Sequence, residues 1–133
     1  GEIYLLSFKM FIDNPITGIG INNFKYLCNY NELYKNMMIN YECASHPHNI
    51  YIQWLAEGGL IVFISFILFL FFLVKFIINN TADKKYKIIS IVIILIMFWP
   101  IMSTGSLIKN WFGVTTFFII GLCMCLSKFK NNY

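Results

Sequence analysis

Both histidines of the chain lie in one run, Ser45-His46-Pro47-His48-Asn49. A neutral imidazole is the side chain best suited to take a proton from a hydroxyl at neutral pH. Pro47 suits the first turn of a helix, where its missing N–H has no partner to lose and its fixed φ is already helical. Ser45 or His46 is then the cap. On that reading His48 sits in the first turn, beside backbone N–H groups that have no intrahelical partner. Those amides and the positive end of the helix dipole disfavour a second positive charge, so His48 is expected to stay neutral, the state of a general base. The same helix end is a ready anion site.

Other chemistry is open to the pair. A His-x-His spacing also suits zinc, but a third ligand is wanted, no Cys or Asp is close, and Glu57 is nine residues on. A bland reading makes both histidines part of a helix cap and nothing more. His46, Asn49, Gln53 and Glu57 recur at intervals of three or four and so share one helix face, with Ile50 and Trp54 on another. Glu57 stands where the apolar sequence begins. It can orient an imidazole, hold a sugar hydroxyl, or sit at the headgroup level, since an unpaired carboxylate is costly in the bilayer core.

These residues need elements to hold them. Residues 3–12 are nearly all apolar and stop at Asn14-Pro15, so a helix should end near Asp13. At about 15 Å it is too short to cross a bilayer. Gly18-Ile19-Gly20 reads as a turn whose amides can approach a phosphate or a sugar, and residues 22–40, rich in Asn and Tyr, as a polar helix plus loop. Downstream, 58–78 reaches about 31 Å as a helix and is the first spanning candidate. A polar loop follows, then a second span at 88–108, in which Pro100 and Gly105 suggest an early end to the regular helix. Ser103-Thr104-Gly105-Ser106 reads as a turn before a third span at 109–126. Trp99 and Trp111 lie near the same end of their helices, as an aromatic belt requires.

Composition supports this division. Hydrophobic residues make up 59% of the chain and its mean hydropathy is +0.68, which places it in the membrane class. The expected architecture is all-α: residues 1–57 form an outward-facing helical region carrying the site, and 58–133 three transmembrane helices with a short cytoplasmic loop and tail. Lys75, Lys84, Lys85 and Lys87 around the loop, and Lys128 and Lys130 in the tail, set this orientation by the positive-inside rule. The net charge of +4 is no nucleic-acid signal, because the lysines do not cluster with interleaved aromatics. No signal peptide is apparent, and the chain reads as a fragment of a longer protein. Cys123 and Cys125 read as packing residues inside an apolar segment, while Cys28 and Cys43 can pair if their region faces an oxidising compartment.

His48-Asn49 followed by Gly59, together with Asn14-Pro15, Gly18-Ile19-Gly20 and Asn23-Phe24, resembles the signature of the O-antigen ligase and O-antigen polymerase family of bacterial membrane glycosyltransferases. The three apolar segments resemble that family's last three membrane helices in number and spacing. The resemblance implies transfer of a glycan from undecaprenyl diphosphate to an acceptor hydroxyl on the periplasmic side of the inner membrane, with no metal and no cofactor. It implies His48 as the base, with His46, Asn49, Glu57, Gly18, Gly20 and Asn23 binding substrate or shaping the pocket. Its partners are then a lipid-linked oligosaccharide donor, a glycan or lipid-glycan acceptor and the membrane. Two departures stand out: Val62, where many relatives place Gly, Thr or Tyr, and the fact that all ten basic residues are Lys. Family members are thought to hold the lipid diphosphate with arginines. A rival class, a transporter or channel subunit with an outer gating loop, wants polar residues along the spans, and these offer little beyond Ser65, Ser90 and Thr115-Thr116.

Overall fold

The computed structural model describes residues 1–39 and 42–128, so the tail beyond 128, with Lys130, and the end of the 22–40 stretch lie outside it. Among the described residues there is no strand. The helices are α1 (Glu2–Asp13), α2 (Phe24–Tyr30), α3 (Glu32–Lys35), α4 (Ile50–Asn80), α5 (Lys84–Met97) and α6 (Asn110–Lys128).

Helix α1 ends where the proline requires: the Asn14 N–H turns back onto the Met10 and Phe11 carbonyls and Pro15 cannot continue. Its buried face is Leu6, Ser7 and Met10, and Ser7 hides its hydroxyl on the Ile3 carbonyl at 2.6 Å. Leu6 and Met10 join Phe24, Cys28, Tyr34 and Ala56 in one small core. Two ties close it. Tyr34 donates its hydroxyl to Asp13 at 2.8 Å, and Cys28 is disulfide-bonded to Cys43. The possible pairing of those cysteines is thus realised.

A second core joins α4, α5 and α6 through Ile50, Phe66, Leu73, Ile77, Ile94, Phe98, Ile120 and Cys123. Phe66 is its hinge, with ring centroids 5.6 Å from Tyr51, 6.0 Å from Trp54 and 5.9 Å from Phe98. Helix α4 is the one helix among the described residues long and apolar enough to cross a membrane. Only 17% of its most apolar window is buried within the protein, unlike the core helix of a soluble domain. Helix α4 is broken at Gly59 (φ 63°, ψ −164°), leaving a limb of about 31 Å over residues 60–80.

The expected helix over 88–108 is corrected. Helix α5 stops at Met97, about 21 Å long, and residues 98–109 turn back across the start of α4 instead. Pro100 lacks the N–H that a continuing helix would need, and carbonyls of this return are spent on α4 side chains: Asn49 donates to Pro100 at 2.7 Å and Tyr51 to Phe98 at 2.6 Å.

Candidate functional site

The family-like glycines meet at the break in α4. At Gly59 two helical hydrogen bonds are lost, those that the N–H groups of Leu60 and Ile61 would give to the carbonyls of Ala56 and Glu57. The segment after α1 replaces both sides of each. Leu60 N–H donates to Pro15 (2.9 Å) and Ile61 N–H to Ile16 (3.3 Å), while Ile19 N–H and Gly20 N–H donate to Ala56 and Glu57, each at 3.0 Å. All four of these backbone groups are thus paired, as buried backbone must be. The exchange requires backbones in contact. A Cβ on Gly18 would run into the Glu57 carbonyl, and one on Gly59 into the Ile16 carbonyl, and both glycines have positive φ, 66° and 63°. The Gly18–Gly20 turn, expected to face substrate, is thus the wedge that holds the kink.

Glu57 is likewise not at the surface. It is fully buried, and its two oxygens accept from the Phe24 N–H (3.2 Å) and Gln53 Nε2 (2.8 Å). The same Gln53 nitrogen donates to Ser106 Oγ at 2.9 Å. A buried polar chain therefore runs from α2 through α4 to the 98–109 return. The helical spacing of Gln53 and Glu57 pointed to a shared face; it gave no hint that Ser106 closes it, because that contact is long-range. Asn23, also expected at substrate, is exposed at the start of α2 and gives its Nδ2 to the Ile19 carbonyl at 3.1 Å.

The helix carrying the motif begins later than Pro47 implied. Asn49 is the cap, its Oδ1 accepting from Tyr51 N–H (3.0 Å) and Ile52 N–H (3.2 Å). Pro47, His46 and His48 precede the helix, so His48 is not in the first turn and the orphan amides are taken by Asn49. Asn49 is buried with both side-chain groups engaged, its Oδ1 on the first turn of α4 and its Nδ2 on the Pro100 carbonyl.

His48 has φ 58°, a left-handed conformation uncommon outside glycine. Its carbonyl is pinned by the Thr104 N–H at 2.8 Å, so the return fixes its backbone while the side chain stays exposed. Such a backbone costs on the order of 1–3 kcal/mol and persists only where surrounding structure imposes it. The ring lies 4.4 Å, centroid to centroid, from that of His46. His46 is half-buried, with Nδ1 at 2.9 Å from Ser45 Oγ and a buried Nε2 that has no hydrogen-bond partner among the described residues. Burial first, then the neighbouring His48 and Lys109, hold its imidazole below the ordinary range, with the Thr104 backbone pulling the other way. His48 opens onto a cavity of about 370 Å³ lined also by Glu2, Ile3, Met38, Glu42 and Ala44.

Among the described residues the fold is all-helical, and one helix of membrane-spanning length fits a membrane-associated protein. Residues 1–67 match the O-antigen ligase family, and the chain belongs to it. That match takes in α1, the wedge, both histidines and the kink, which makes this a glycosyltransferase-like enzyme associated with membranes and lipid-linked glycans. No curated protein and no solved structure matches the chain.

Proposed function

We propose that the protein moves a glycan from undecaprenyl diphosphate to an acceptor hydroxyl on the outer face of the cytoplasmic membrane, with His48 as the general base. The observation that carries this reading is His48 itself: the one motif imidazole that is exposed, beside a cavity, on a backbone clamped by Thr104 and capped by Asn49. His48 takes the proton of the acceptor hydroxyl as its oxygen attacks the anomeric carbon. The bond from that carbon to the diphosphate oxygen breaks, and lipid diphosphate leaves with the electron pair. Its negative charge is already stable, so no protein acid and no metal is required. His46, kept neutral by burial, lets His48 gain a proton without a like charge beside it. Glu57 acts through Gln53 and the kink, as a positioning residue.

In this reading residues 60–80, α5 with the start of its return, and α6 cross the membrane, and residues 1–57 lie outside. The loop between α4 and α5, with Lys84, Lys85 and Lys87, is then cytoplasmic. The test is transfer of a labelled oligosaccharide from undecaprenyl diphosphate by purified full-length protein in nanodiscs, with and without EDTA. Release of lipid diphosphate together with a heavier acceptor is expected in both. Absence of transfer across a panel of lipid-linked donors, or transfer abolished by EDTA, contradicts the mechanism.

A further inference from the structure

A second cavity, of about 430 Å³, opens between α2 and the 98–109 return. Asn22, Lys25, Tyr26, Asn29 and Tyr30 line one side and Lys109 the other. Ser45 completes the wall and connects it to the histidines, since its hydroxyl bonds to His46 and its carbonyl accepts from Lys109 Nζ at 3.4 Å. No carboxylate lines this cavity, and neither lysine forms a salt bridge among the described residues. Two ammonium groups from separate elements therefore share a cleft whose own lining holds no carboxylate; Glu42 lines the adjoining cavity with Lys25, Asn29 and Lys35, and makes no salt bridge to Lys25. The same cleft is lined by the rings of Tyr26 and Tyr30, one helical turn apart, with centroids 4.7 Å apart and 59% and 75% exposed. Rings so open have faces free for a ligand. Asn29 spends its Nδ2 on the Lys25 carbonyl at 2.9 Å, which leaves Oδ1 to accept from a hydroxyl.

Aromatic faces, amides and hydroxyl acceptors suit a pyranose, while unpaired ammonium groups select a negative charge on it. We propose that this cleft binds an acidic sugar, a uronate, of the acceptor glycan and so sets the enzyme's specificity. This rests on the transferase reading above, because only there does a glycan arrive beside His46. A lipid diphosphate is the poorer occupant: its charge is dense and has no use for exposed tyrosine faces.

The test is binding, which is separable from transfer. Full-length protein in nanodiscs is titrated with hyaluronan tetrasaccharide, which carries glucuronate, and with its carboxyl-reduced neutral form. The acidic form is expected to bind about tenfold tighter at low salt, with the difference shrinking as salt rises. Lys25→Gln with Lys109→Gln should abolish the discrimination. Tyr26→Ala with Tyr30→Ala should weaken both forms alike, and Lys87→Gln, in the first turn of α5, should change nothing. Equal affinity for the two forms, or discrimination that survives the double lysine variant, overturns the proposal. So does inorganic pyrophosphate binding tighter than the acidic tetrasaccharide through the same two lysines, which would give the cleft to the lipid diphosphate. His48→Ala protein must discriminate as the native protein does, so failure of the transferase reading and failure of this one have different signatures.

Discussion

Gly18 and Gly59 meet backbone to backbone: a Cβ on Gly59 would collide with the Ile16 carbonyl and the Gly18 N–H, and one on Gly18 with the peptide of Glu57 and Gly58. Neither obstacle is a flexible side chain that can swing away. Both residues also have positive φ, which L side chains adopt at a cost of about 1–2 kcal/mol. Gly18→Ala and Gly59→Ala should each destabilise the protein by at least about 2 kcal/mol, strain and clash together. Gly20 also has a positive φ, 95°, so Gly20→Ala is strained too, but it should cost less because its Cβ meets only the flexible side-chain amide of Asn23 and no backbone. Thermal unfolding in detergent ranks the three, and a Gly20 variant worse than the other two would refute the wedge.

Gln53 Nε2 bridges Ser106 Oγ and Glu57 Oε2 inside the protein. Gln53→Leu removes both donations and leaves a buried carboxylate oxygen short of a partner, a loss of about 1–3 kcal/mol. Gln53→Glu is sharper. Two buried carboxylates would then face each other, and the like charge together with burial raises the pKa of the introduced carboxyl above its unfolded value. Proton binding favours the native state in that case, so the variant should be most stable in acid and lose stability as pH rises through the raised value. A stability profile parallel to the wild type would count against the bridge.

His46 has the opposite sign. Its imidazole is held below the ordinary 6.5, chiefly by burial. Below 6.5 the unfolded chain binds a proton that the native state still refuses, so native stability falls as pH drops through that value. His46→Gln should flatten this acid slope and leave stability above it nearly unchanged. Unfolding followed across about pH 5 to 8 is the measurement, and identical slopes would dispose of the idea.

Some of this was legible in residue order. The apolar run 3–12 with Asn14-Pro15 after it marks α1, because a proline fixes a boundary locally. Of the four residues spaced like one helix face, Gln53 and Glu57 lie on α4 and Asn49 caps it, while His46 precedes the helix, because periodicity does not mark where a helix begins. Pro47 misled: proline suits a first helical turn, yet the stronger cap is Asn49, whose Oδ1 serves two amides, and the helix starts after it. The glycines read as a substrate turn because their partner, the kink at Gly59, is some forty residues away. The 98–109 return was hidden for the same reason. Its hydrophobicity resembles a continuing span, and only its long-range bonds to His48, Asn49, Tyr51 and Gln53 show what it does.

The Cys28–Cys43 bridge ties α2 to the segment leading into the histidines, across a separation of 15 residues. A loop of that size contributes about 3 kcal/mol by the chain-entropy estimate. Cys28→Ser, or reduction of the native protein, should lower stability by about that amount and loosen the approach to Ser45. Cys123 and Cys125 are free in either case, so free thiols located at Cys28 and Cys43 of unreduced protein by mass spectrometry would show that the bridge does not form.

His48 and His46 touch, but they should fail differently. The backbone of His48 is held by Thr104 and by the Asn49 cap, and its exposed ring buries little, so removing the ring leaves the fold intact. If it is the base, His48→Ala should lower the transfer rate by roughly 10²–10⁴-fold. His48→Asn is the better variant, because Asn accepts the left-handed backbone readily and its inactivity cannot be laid to strain. His46 is half-buried and lies beneath the His48 ring, so His46→Ala opens a void and frees that ring to turn. Its cost should be about tenfold, through orientation, since no proton is routed through it. Both variants should accumulate in the membrane at wild-type levels. Near-normal turnover in His48→Asn beside a dead His46→Ala would move the base to His46, whose depressed pKa would then be the tuned one.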